Sequence, residues 1–507
     1  MEVLPVRQFT ATAALRCFLE QCRINGGDIG FVPTMGALHA GHRSLIERAK
    51  QENSWVVVSI FVNPLQFGPN EDFDQYPRTL AADRALCEQI GVDVIFTPAP
   101  DDLGVLAPSP TQVMPPASMQ SGLCGASRPG HFDGVATIVT KLLNIVQPTR
   151  AYFGQKDAQQ LAILQRVVQD LNINTTLVPC PIVRESSGLA LSSRNQYLSD
   201  AEKAQAPQIY AGLSAAEQLF RQGERQSRKL IGQVESQLAT APKIVLEYVE
   251  LVDSETLTPL SEVSKTGLLA VAARLGKTRL IDNVLLRTRK PIVAIDGPAG
   301  AGKSSVTKMV AQQLGLFYLD TGAMYRSITW LVMNSDVRLT DEPGIAELAN
   351  QATIEVTETY VKVNDQDVTQ AIRTPEVTAN VSAIAAQGAV RQVLVRQQQE
   401  AAARGGVILE GRDIGTHVFP DAELKIFLTA TPAERARRRQ KDLERMGQPA
   451  EDLAALEQSI AERDAKDSNR LIAPLRKASD AVEVVTDGMT IEQVVAKLVA
   501  MYRSVAG

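Results

Sequence analysis

The chain has 507 residues, of which 45% are hydrophobic and 21% are charged, and its formal net charge is −5. This composition is typical of a globular protein with two to four domains. The mildly acidic balance argues against nucleic acid as a partner, and no apolar run approaches the ~20 residues that cross a bilayer. No signal-peptide pattern is visible, and the five cysteines lack the spacing of a disulfide framework or zinc site. We therefore expect a cytoplasmic protein with no membrane or nucleic-acid partner.

Strand-like runs alternate with helical segments in the first half of the chain. Residues 55–62 and 92–96 are short apolar runs that end at a proline-containing turn. Such runs, separated by helical stretches, predict a parallel sheet with helices on its faces. Residues 104–129 are rich in Pro, Ser, Gly and Met and predict a long loop or small subdomain, a candidate cover for a site. Residues 244–253 predict a further strand towards the end of this half.

The sequence PTMGALHAGH, over residues 33–42, is the first candidate site. His39 and His42 are two of only four histidines in the chain, and at a helix start they would share one face. Gly41 would let a flat base approach the backbone, and the amides of a helix N-terminus attract phosphate. The pattern indicates a nucleotide site where the α-phosphate of ATP is attacked. The structural alternative is a helix-capping loop with surface histidines.

The sequence GPAGAGKS, over residues 297–304, is a P-loop that directly follows the apolar run 292–295 and precedes a helical segment. In this strand–loop–helix context the amides face phosphate, Lys303 bridges phosphate oxygens and Ser304 can bind Mg²⁺. The alternative is a glycine-rich turn. Later strand-like runs at 406–409 and 424–428 predict a second parallel sheet. Residues 279–290 are not Gly/Ser-rich, so we predict closely joined domains at 1–280 and 281–507.

One active site hardly needs both phosphate-binding patterns, so the pair predicts two enzymes on one chain. One alternative keeps one half catalytic and makes the other a nucleotide-binding regulatory module. Another is a P-loop interaction protein or an NTPase that is not a kinase. Apparently complete motifs in both halves favour the bifunctional enzyme.

The first half also contains FVNPLQF (61–67), YPR (76–78), GHFDGV (130–135), FGQKDAQQ (153–160) and LSSRN (191–195), in this order. Together with the opening motif they resemble pantothenate synthetase (pantoate–β-alanine ligase), over roughly residues 1–280. The resemblance implies a Rossmann-like nucleotidyltransferase domain followed by a small C-terminal subdomain. It implies that ATP and pantoate give pantoyl-adenylate and pyrophosphate, and that β-alanine then displaces AMP. It also implies a possible homodimer through this half.

The resemblance makes His42 and Lys156 catalytic and assigns Gln66 and Gln160 to pantoate and β-alanine. Asp83 or Asp157 could assist Mg²⁺, with a solvated carboxylate as the alternative for Asp83. The implied ATP-binding residues are Met35, Gly36, Ala37, Leu38, His39, Ala40, Gly41, His42, Gly154, Gln155, Lys156, Asp157, Val183, Leu191, Ser192, Ser193 and Arg194.

In the second half, LDTGAMYR (319–326), EGRDIG (410–415) and RDAKDSNR (463–470) follow the P-loop. They resemble bacterial cytidylate kinase over about residues 290–507. The resemblance implies a P-loop nucleoside monophosphate kinase domain, a parallel sheet with helices on both faces, that phosphorylates CMP or dCMP with ATP. It also implies a small β insert at about 353–375.

The resemblance makes Lys303 catalytic and Ser304 a ligand of Mg²⁺. Glu410 stands where the family often has Asp, so the carboxylate is one methylene longer. The run ERARRR, over residues 434–439, matches a lid over ATP, or else is a solvated basic helix face. The implied ATP-binding residues are Gly297, Pro298, Ala299, Gly300, Ala301, Gly302, Lys303, Ser304 and Ser305, and the implied CMP-binding residues are Asp320, Arg326, Ser382, Arg391, Arg412, Asp413, Arg463, Asp467 and Arg470.

Overall fold

The computed structural model describes residues 6–68, 71, 73–107, 110–357, 359–445, 452–468 and 473–506. The chain divides into two compact units, Met1–Thr288 and Arg289–Gly507. A strand runs from Thr278 to Arg287, so the boundary drawn near residue 280 crosses this strand. Among the described residues, no helix has the length and apolar composition needed to cross a membrane.

The first unit begins with a parallel sheet whose strands lie in the order β1-β4-β3-β2-β5-β6. Its strands are β1 (Arg7–Phe9), β2 (Ile29–Thr34), β3 (Trp55–Ile60), β4 (Val94–Phe96), β5 (Arg150–Gly154) and β6 (Thr176–Cys180). Its helices are α1 (Thr12–Ile24), α2 (Ala40–Glu52), α3 (Leu80–Ile90), α4 (Leu123–Ser127), α5 (His131–Val146) and α6 (Ala158–Asp170). Helices α1 and α5 pack on one face and α2 and α3 on the other, which is why the central strands are apolar on both faces.

A smaller subdomain completes the first unit. Its helices are α7 (Asp200–Lys203), α8 (Gln208–Arg221) and α9 (Ser227–Leu238), and its strands are β7 (Ile244–Asp253), β8 (Thr266–Leu275) and β9 (Thr278–Arg287). The strands form an antiparallel sheet in the order β7-β8-β9. One face packs on α8 and α9, and the other packs on α5, α6 and the segment around Leu123. The subdomain is therefore fixed to the helices that flank the larger sheet.

The second unit has a parallel sheet and a small antiparallel one. Its strands are β10 (Lys290–Asp296), β11 (Phe317–Asp320), β12 (Ile354–Val356), β13 (Val361–Val363), β14 (Gln366–Asp367), β15 (Gly405–Gly411), β16 (Leu424–Thr429) and β17 (Val482–Val485). The parallel sheet has the order β11-β15-β10-β16-β17, and the antiparallel one has the order β12-β13-β14. The latter confirms the β insert predicted for residues 353–375.

Helices cover both faces of the second parallel sheet. They are α10 (Lys303–Leu314), α11 (Thr321–Met333), α12 (Glu342–Gln351), α13 (Pro375–Ala385), α14 (Gly388–Ala402), α15 (Pro432–Arg445), α16 (Leu453–Ser468) and α17 (Ile491–Ala506). Helices α11 and α14 pack with the insert on one face, while α10 and α17 pack on the other.

In both units the candidate site residues follow the carboxyl ends of parallel strands. In the first unit the chain leaves β2 towards β3 on one side and leaves β5 towards β6 on the other. A reversal of this kind opens a crevice between the two strands, where ligands of parallel α/β sheets bind. In the second unit the P-loop follows the central strand β10.

Candidate active sites

The loop after β2 is held by a buried carboxylate. Gly36 and Ala37 have φ of +82° and +51°, and the turn directs the amides of Ala37 and Leu38 at Asp83, 3.1 and 2.8 Å away. Asp83 is 2% exposed and also accepts a hydrogen bond from the hydroxyl of Thr79. The solvated-carboxylate alternative for Asp83 is therefore wrong. Asp83 supports the loop from behind and is not among the residues that line the cavity.

His39 and His42 form the N-terminus of α2. The His39 side chain accepts from the amide of Gly41 at 3.1 Å, and His42 Nδ1 accepts from the amide of His39 at 3.3 Å. The two rings lie 4.1 Å apart, centroid to centroid. A neutral imidazole that accepts at Nδ1 carries its proton on Nε2. The pair therefore caps the helix and also presents N–H donors to the cavity that both residues line.

Both histidines are held in the neutral form. Burial, together with His39 and Lys156, lowers the pKa of His42 to about 3. Burial and then Lys156 lower the pKa of His39 as well. At neutral pH the pair therefore donates hydrogen bonds without carrying a full charge.

A network of polar side chains surrounds Gln66. Asn63 is 1% exposed and donates to the Gln66 side-chain oxygen and to the Gly134 carbonyl, both at 3.1 Å. His131 Nδ1 lies 2.8 Å from the Gln66 carbonyl oxygen. Burial and the neighbouring Arg128 lower the pKa of His131 to about 4, so Nδ1–H can donate to that carbonyl. The backbone and side chain of Gln66 are thus both fixed.

The loop that carries Lys156 is fixed from the subdomain. The Asn283 side-chain amide, on β9, donates to the carbonyl oxygens of Gln155 and Lys156, each at 3.0 Å. Asn283 is buried. Because the loop follows β5, the contact joins the small antiparallel sheet to the crevice of the large one.

The segment before Ser192 is fixed from the same strand. Arg184 makes two hydrogen bonds to the Asp282 carboxylate, at 2.6 and 3.0 Å, and stacks on the Tyr210 ring at 3.6 Å. The Asn195 amide donates to Ala190 O at 3.1 Å. Hydrogen bonds thus hold the chain on both sides of the loop at residues 192–194.

These elements enclose a cavity of about 270 Å³. The predicted residues that line it are Met35, His39, Gly41, His42, Gln66, Gly154, Lys156, Asp157, Gln160, Val183, Leu191, Ser192, Ser193 and Arg194. The predicted residues outside its lining are Gly36, Ala37, Leu38, Ala40 and Gln155. Ala37 and Leu38 donate to Asp83 and Gln155 accepts from Asn283, so their contribution is to hold the backbone of the site.

A second cavity of about 700 Å³ shares a wall with the first. Both are lined by Arg128, His131, Lys156, Asp157, Gln160, Ser192 and Arg194. Leu123 and Cys124 belong to the segment predicted as a cover, and they line the larger cavity. Gln159 donates to the carbonyls of Met119 and Gly122, both at 3.0 Å. From residue 113 onwards, the described part of this segment therefore packs into a hydrophobic cluster and forms part of the wall of the larger cavity.

In the second unit, the P-loop approaches β16 closely. A Cβ atom at Gly297, where φ is +151°, would lie 1.9 Å from the Leu428 carbonyl oxygen. Glycine is therefore required by contact with the neighbouring strand as well as by conformation. Lys303 donates to the carbonyls of Gly297 and Pro298 at 2.7 and 2.8 Å. Burial and Arg412 lower the Lys303 pKa, so a nearby anion would favour its charged form.

Arginine–aspartate pairs line the rest of this cavity, which has a volume of about 760 Å³. Arg326 pairs with Asp320 at 3.0 Å, Arg412 pairs with Asp467 at 3.1 Å, and Arg391 pairs with Asp413. The predicted residues that line the cavity are Ala299, Gly300, Ala301, Gly302, Lys303, Ser304, Ser305, Asp320, Arg326, Ser382, Arg391, Arg412, Asp413, Arg463 and Asp467. Gly297 and Pro298 lie outside its lining, and Arg470 lies outside the described residues.

Asp296 connects the P-loop strand to the turn that carries Asp413. Its carboxylate accepts from the amides of Ile414 and Gly415, both at 2.7 Å. Burial, with a smaller contribution from Asp413, raises the pKa of Asp296 to about 7. The sequence showed Asp296 only as the end of a strand, although a carboxylate directly before a P-loop is a usable signal.

The run at residues 434–439 has mixed roles. Arg435 is buried, pairs with Asp464 and donates to the Ala299 carbonyl at 3.1 Å. Arg438 donates to the Thr486 carbonyl at 2.8 Å and lines the cavity, whereas Arg437 is exposed. The uniform solvated-face alternative is therefore wrong, since two arginines face the P-loop side.

Some cavity residues carry no recognisable pattern in the sequence. The cavity of the second unit is also lined by Thr486, Met489, Thr490, Ile491 and Val494, which belong to the last strand–helix connection and α17. Asn63 and Asn283 were missed in the first unit. Each is an ordinary polar residue in sequence, and its role depends on partners more than 70 positions away.

The first cavity can bind a polyanion through His N–H groups, Lys156 and Arg194 while holding a polar substrate at Gln66 and Gln160. The cavity of the second unit can hold one phosphate chain at the P-loop and a second anion at its arginines. Comparisons agree with two separate activities. Residues 7–285 match the family described as pantoate-beta-alanine ligase, and residues 293–504 match the family described as cytidylate kinase.

Known proteins resemble both the whole chain and its first part. The bifunctional pantoate ligase/cytidylate kinase of Trichormus variabilis is 57% identical over 98% of this chain and 99% of its own length. That of Synechococcus elongatus is 56% identical over 98% of this chain and 96% of its own. The crystal structure of pantothenate synthetase from Thermus thermophilus matches with a TM-score of 0.52 and 44% identity, over 55% of this chain and 99% of that one.

Proposed function

We propose residue roles for the two sites of this chain, which belongs to the family of bifunctional pantoate ligase/cytidylate kinases. It is an enzyme with both activities, and ATP is a substrate of each. The observation that supports the assignment of roles is that each unit has its own cavity, beside a loop at the carboxyl end of a parallel sheet.

In the ligase unit we assign the smaller cavity to ATP and pantoate. The pantoate carboxylate, held with its hydroxyl groups by Gln66 and Gln160, attacks the α-phosphorus of ATP and pyrophosphate leaves. The Nε2–H groups of His39 and His42, with Lys156, stabilise the charge that develops on the phosphates. The amine of β-alanine then attacks the acyl carbon of pantoyl-adenylate and AMP leaves. Neutral histidines suit this role because they donate without adding a charge that must be desolvated.

In the kinase unit we assign the P-loop side to ATP and the arginine side to CMP or dCMP. A phosphate oxygen of the monophosphate attacks the γ-phosphorus of ATP, and ADP leaves. Lys303 and the P-loop amides hold the ATP phosphates, while Arg326 and Arg412 hold the acceptor phosphate. Guanidinium groups suit a phosphate because they bind two of its oxygens at once.

The kinase residues fit a magnesium ion. Glu410 Oε2 is buried without a hydrogen-bond partner among the described residues, and Ser304 lines the same cavity. A hydroxyl and one carboxylate, with the ATP phosphates, are ligands that Mg²⁺ prefers. The ion would neutralise charge on the ATP phosphates, with Ser304 and Glu410 as the protein groups that hold it. Homodimerisation through the first unit and a cytoplasmic location are further proposals that rest on the family resemblance.

Two assays on the full-length protein test these roles. We expect His42→Ala to abolish pantothenate formation while CMP phosphorylation continues, and Lys303→Ala to do the reverse. Exposed Arg43 and Lys497 supply the matched controls, Arg43→Ala and Lys497→Ala, which should keep both activities. Loss of neither activity in the His42 and Lys303 variants would contradict the assigned roles. ATP turnover that is as fast without CMP as with it would contradict the kinase mechanism.

A further inference from the structure

A buried phenol–carboxylate pair spans two neighbouring strands of the kinase sheet. The parallel register places Asp320 of β11 opposite Glu410 of β15, so Tyr318 lies two positions earlier on β11. The Tyr318 hydroxyl donates to Glu410 Oε1. Both residues are buried, at 3% and 6% exposure. The contact fixes the end of the Glu410 side chain from the strand next to its own.

The second carboxylate oxygen of Glu410 faces a different environment. Glu410 lines the cavity that also holds Ser304 and Lys303, and its Oε2 has no hydrogen-bond partner in the described part of the chain. A buried carboxylate oxygen without a partner is costly, so its place is explained by a ligand that supplies positive charge. One oxygen of Glu410 is therefore used in a structural contact, and the other is buried without a partner among the described residues.

We propose that Tyr318 is a positioning residue of the kinase site, which holds Glu410 Oε1 so that Oε2 is directed at the divalent cation that accompanies ATP. The inference rests on the proposed role of Glu410 in binding Mg²⁺. Glutamate has one more side-chain torsion than aspartate, and a fixed partner removes that freedom before the cation arrives. The Tyr318 hydroxyl has a single proton and donates it to Glu410 Oε1, so this contact fixes the hydroxyl as a donor.

The test measures cation binding without turnover. Full-length protein is saturated with a non-hydrolysable ATP analogue, and the affinity for Mn²⁺ is read from the electron paramagnetic resonance signal of the free ion. The variants are Tyr318→Phe, Glu410→Gln and both together, with Tyr502→Phe as the control. Tyr502 is a buried tyrosine of the same unit that does not line the cavity. The ligase site contributes the same background to every variant.

We expect Tyr318→Phe to weaken Mn²⁺ binding by about tenfold, the effect of losing one hydrogen bond to a charged group. Glu410→Gln should weaken binding further, and Tyr318→Phe should then add less than about twofold because the two groups act as one unit. The control should bind as the unaltered protein does. Near-ultraviolet circular dichroism verifies that each variant is folded.

Two results would overturn the positioning role. One is a Tyr318→Phe variant that has a lowered melting temperature but an unchanged Mn²⁺ affinity. This result would mean that the hydroxyl is purely structural. The other is an equal effect of Tyr318→Phe with and without Glu410→Gln. Unchanged Mn²⁺ affinity in Glu410→Gln would overturn both the positioning role of Tyr318 and the proposed role of Glu410 as a magnesium ligand. If Glu410→Gln weakens Mn²⁺ binding and Tyr318→Phe does not, only the positioning role is overturned.

Discussion

The two loops that we assign to phosphate binding are held in place by different contacts. The kinase loop takes its shape from its own glycines and from the backbone of the adjacent strand, with Gly297 pressed against the Leu428 carbonyl. The ligase loop takes its shape from a distant side chain, because Asp83 holds the amides of Ala37 and Leu38. Local contacts in one unit and a contact from a distant side chain in the other thus each fix the backbone of a loop at the proposed phosphate site.

The two sites also differ in their electrostatics. The ligase site keeps His39 and His42 neutral by burial, beside the charged side chains of Lys156 and Arg194 in the same cavity lining. The kinase site places full charges together, with arginine–aspartate pairs around its cavity. A monophosphate dianion can replace an aspartate as the partner of an arginine, so such pairs are suited to a substrate that arrives charged.

The largest expected effect tests the local contacts of the kinase loop. Gly297→Ala places a methyl group 1.9 Å from a backbone oxygen, so we expect a destabilisation of about 3 kcal/mol or more in the kinase unit. CMP phosphorylation should be lost while pantothenate formation remains. The control is Gly315→Ala, where φ is +61° and no atom lies within 4 Å of the added Cβ; it should cost about 1 kcal/mol. Kinase activity and thermal unfolding of both variants are the measurements.

The contact from a distant side chain in the ligase loop is tested by Asp83→Asn. The amide group replaces one acceptor oxygen by a donor that faces backbone N–H groups. Loss of one of the two amide hydrogen bonds, and of the negative charge on the acceptor of the other, should raise the ligase barrier by roughly 3 kcal/mol, about a hundredfold in kcat/KM. The kinase rate should not change. Asp74→Asn, at an exposed residue of the preceding segment, is the matched control, and equal ligase kinetics in the two variants would contradict the role of Asp83.

The units should also respond to pH in opposite directions. His42 and His131 have pKa values lowered to about 3 and about 4, so the unfolded chain binds more protons below pH 6.5. Each histidine should therefore remove ~1.4 kcal/mol of ligase-unit stability per pH unit as the pH falls from 6.5 towards its folded pKa. Asp296 has its pKa raised to about 7, so its contribution to kinase-unit stability falls as the pH rises from about 4 to 7.

Hydrogen exchange on the full-length protein measures this contrast, with peptides from β2 and β10 reporting the two units after correction for intrinsic rates. Acid should lower the protection of β2 more than that of β10. Parallel loss of protection in both peptides would contradict the contrast. His42→Gln, which does not titrate, should reduce the acid sensitivity of β2.

The smallest effect concerns the support of the loop that carries Lys156. Asn283→Ala removes two neutral hydrogen bonds to the carbonyls of Gln155 and Lys156. We expect ligase kcat to fall by about tenfold, in keeping with roughly 1 kcal/mol for such a hydrogen bond. Kinase activity should be unchanged. Asn144→Ala, at an exposed asparagine of the same unit, is the control, and steady-state kinetics that match those of the control would rule out the support.

The sequence by itself determined the two parallel sheets, the P-loop, the β insert and the family. These features are local or ordered along the chain: strand periodicity, glycine spacing and motif order are all read without knowing which distant residues touch. The P-loop needed eight residues, because its shape is encoded in its own glycines. The histidine motif needed five further motifs before its role could be inferred, because its support comes from elsewhere.

Tertiary structure alone decided which polar side chains hold the sites. Asp83, Asn283 and Asp296 each hold a backbone segment at least 45 positions away, and no local pattern in the sequence shows which segment that is. The same is true of Tyr318 and Glu410, which are 92 positions apart and meet because their strands are neighbours. A hydrogen bond depends on position in space, and strand order and register, which set that position, are properties of the folded sheet.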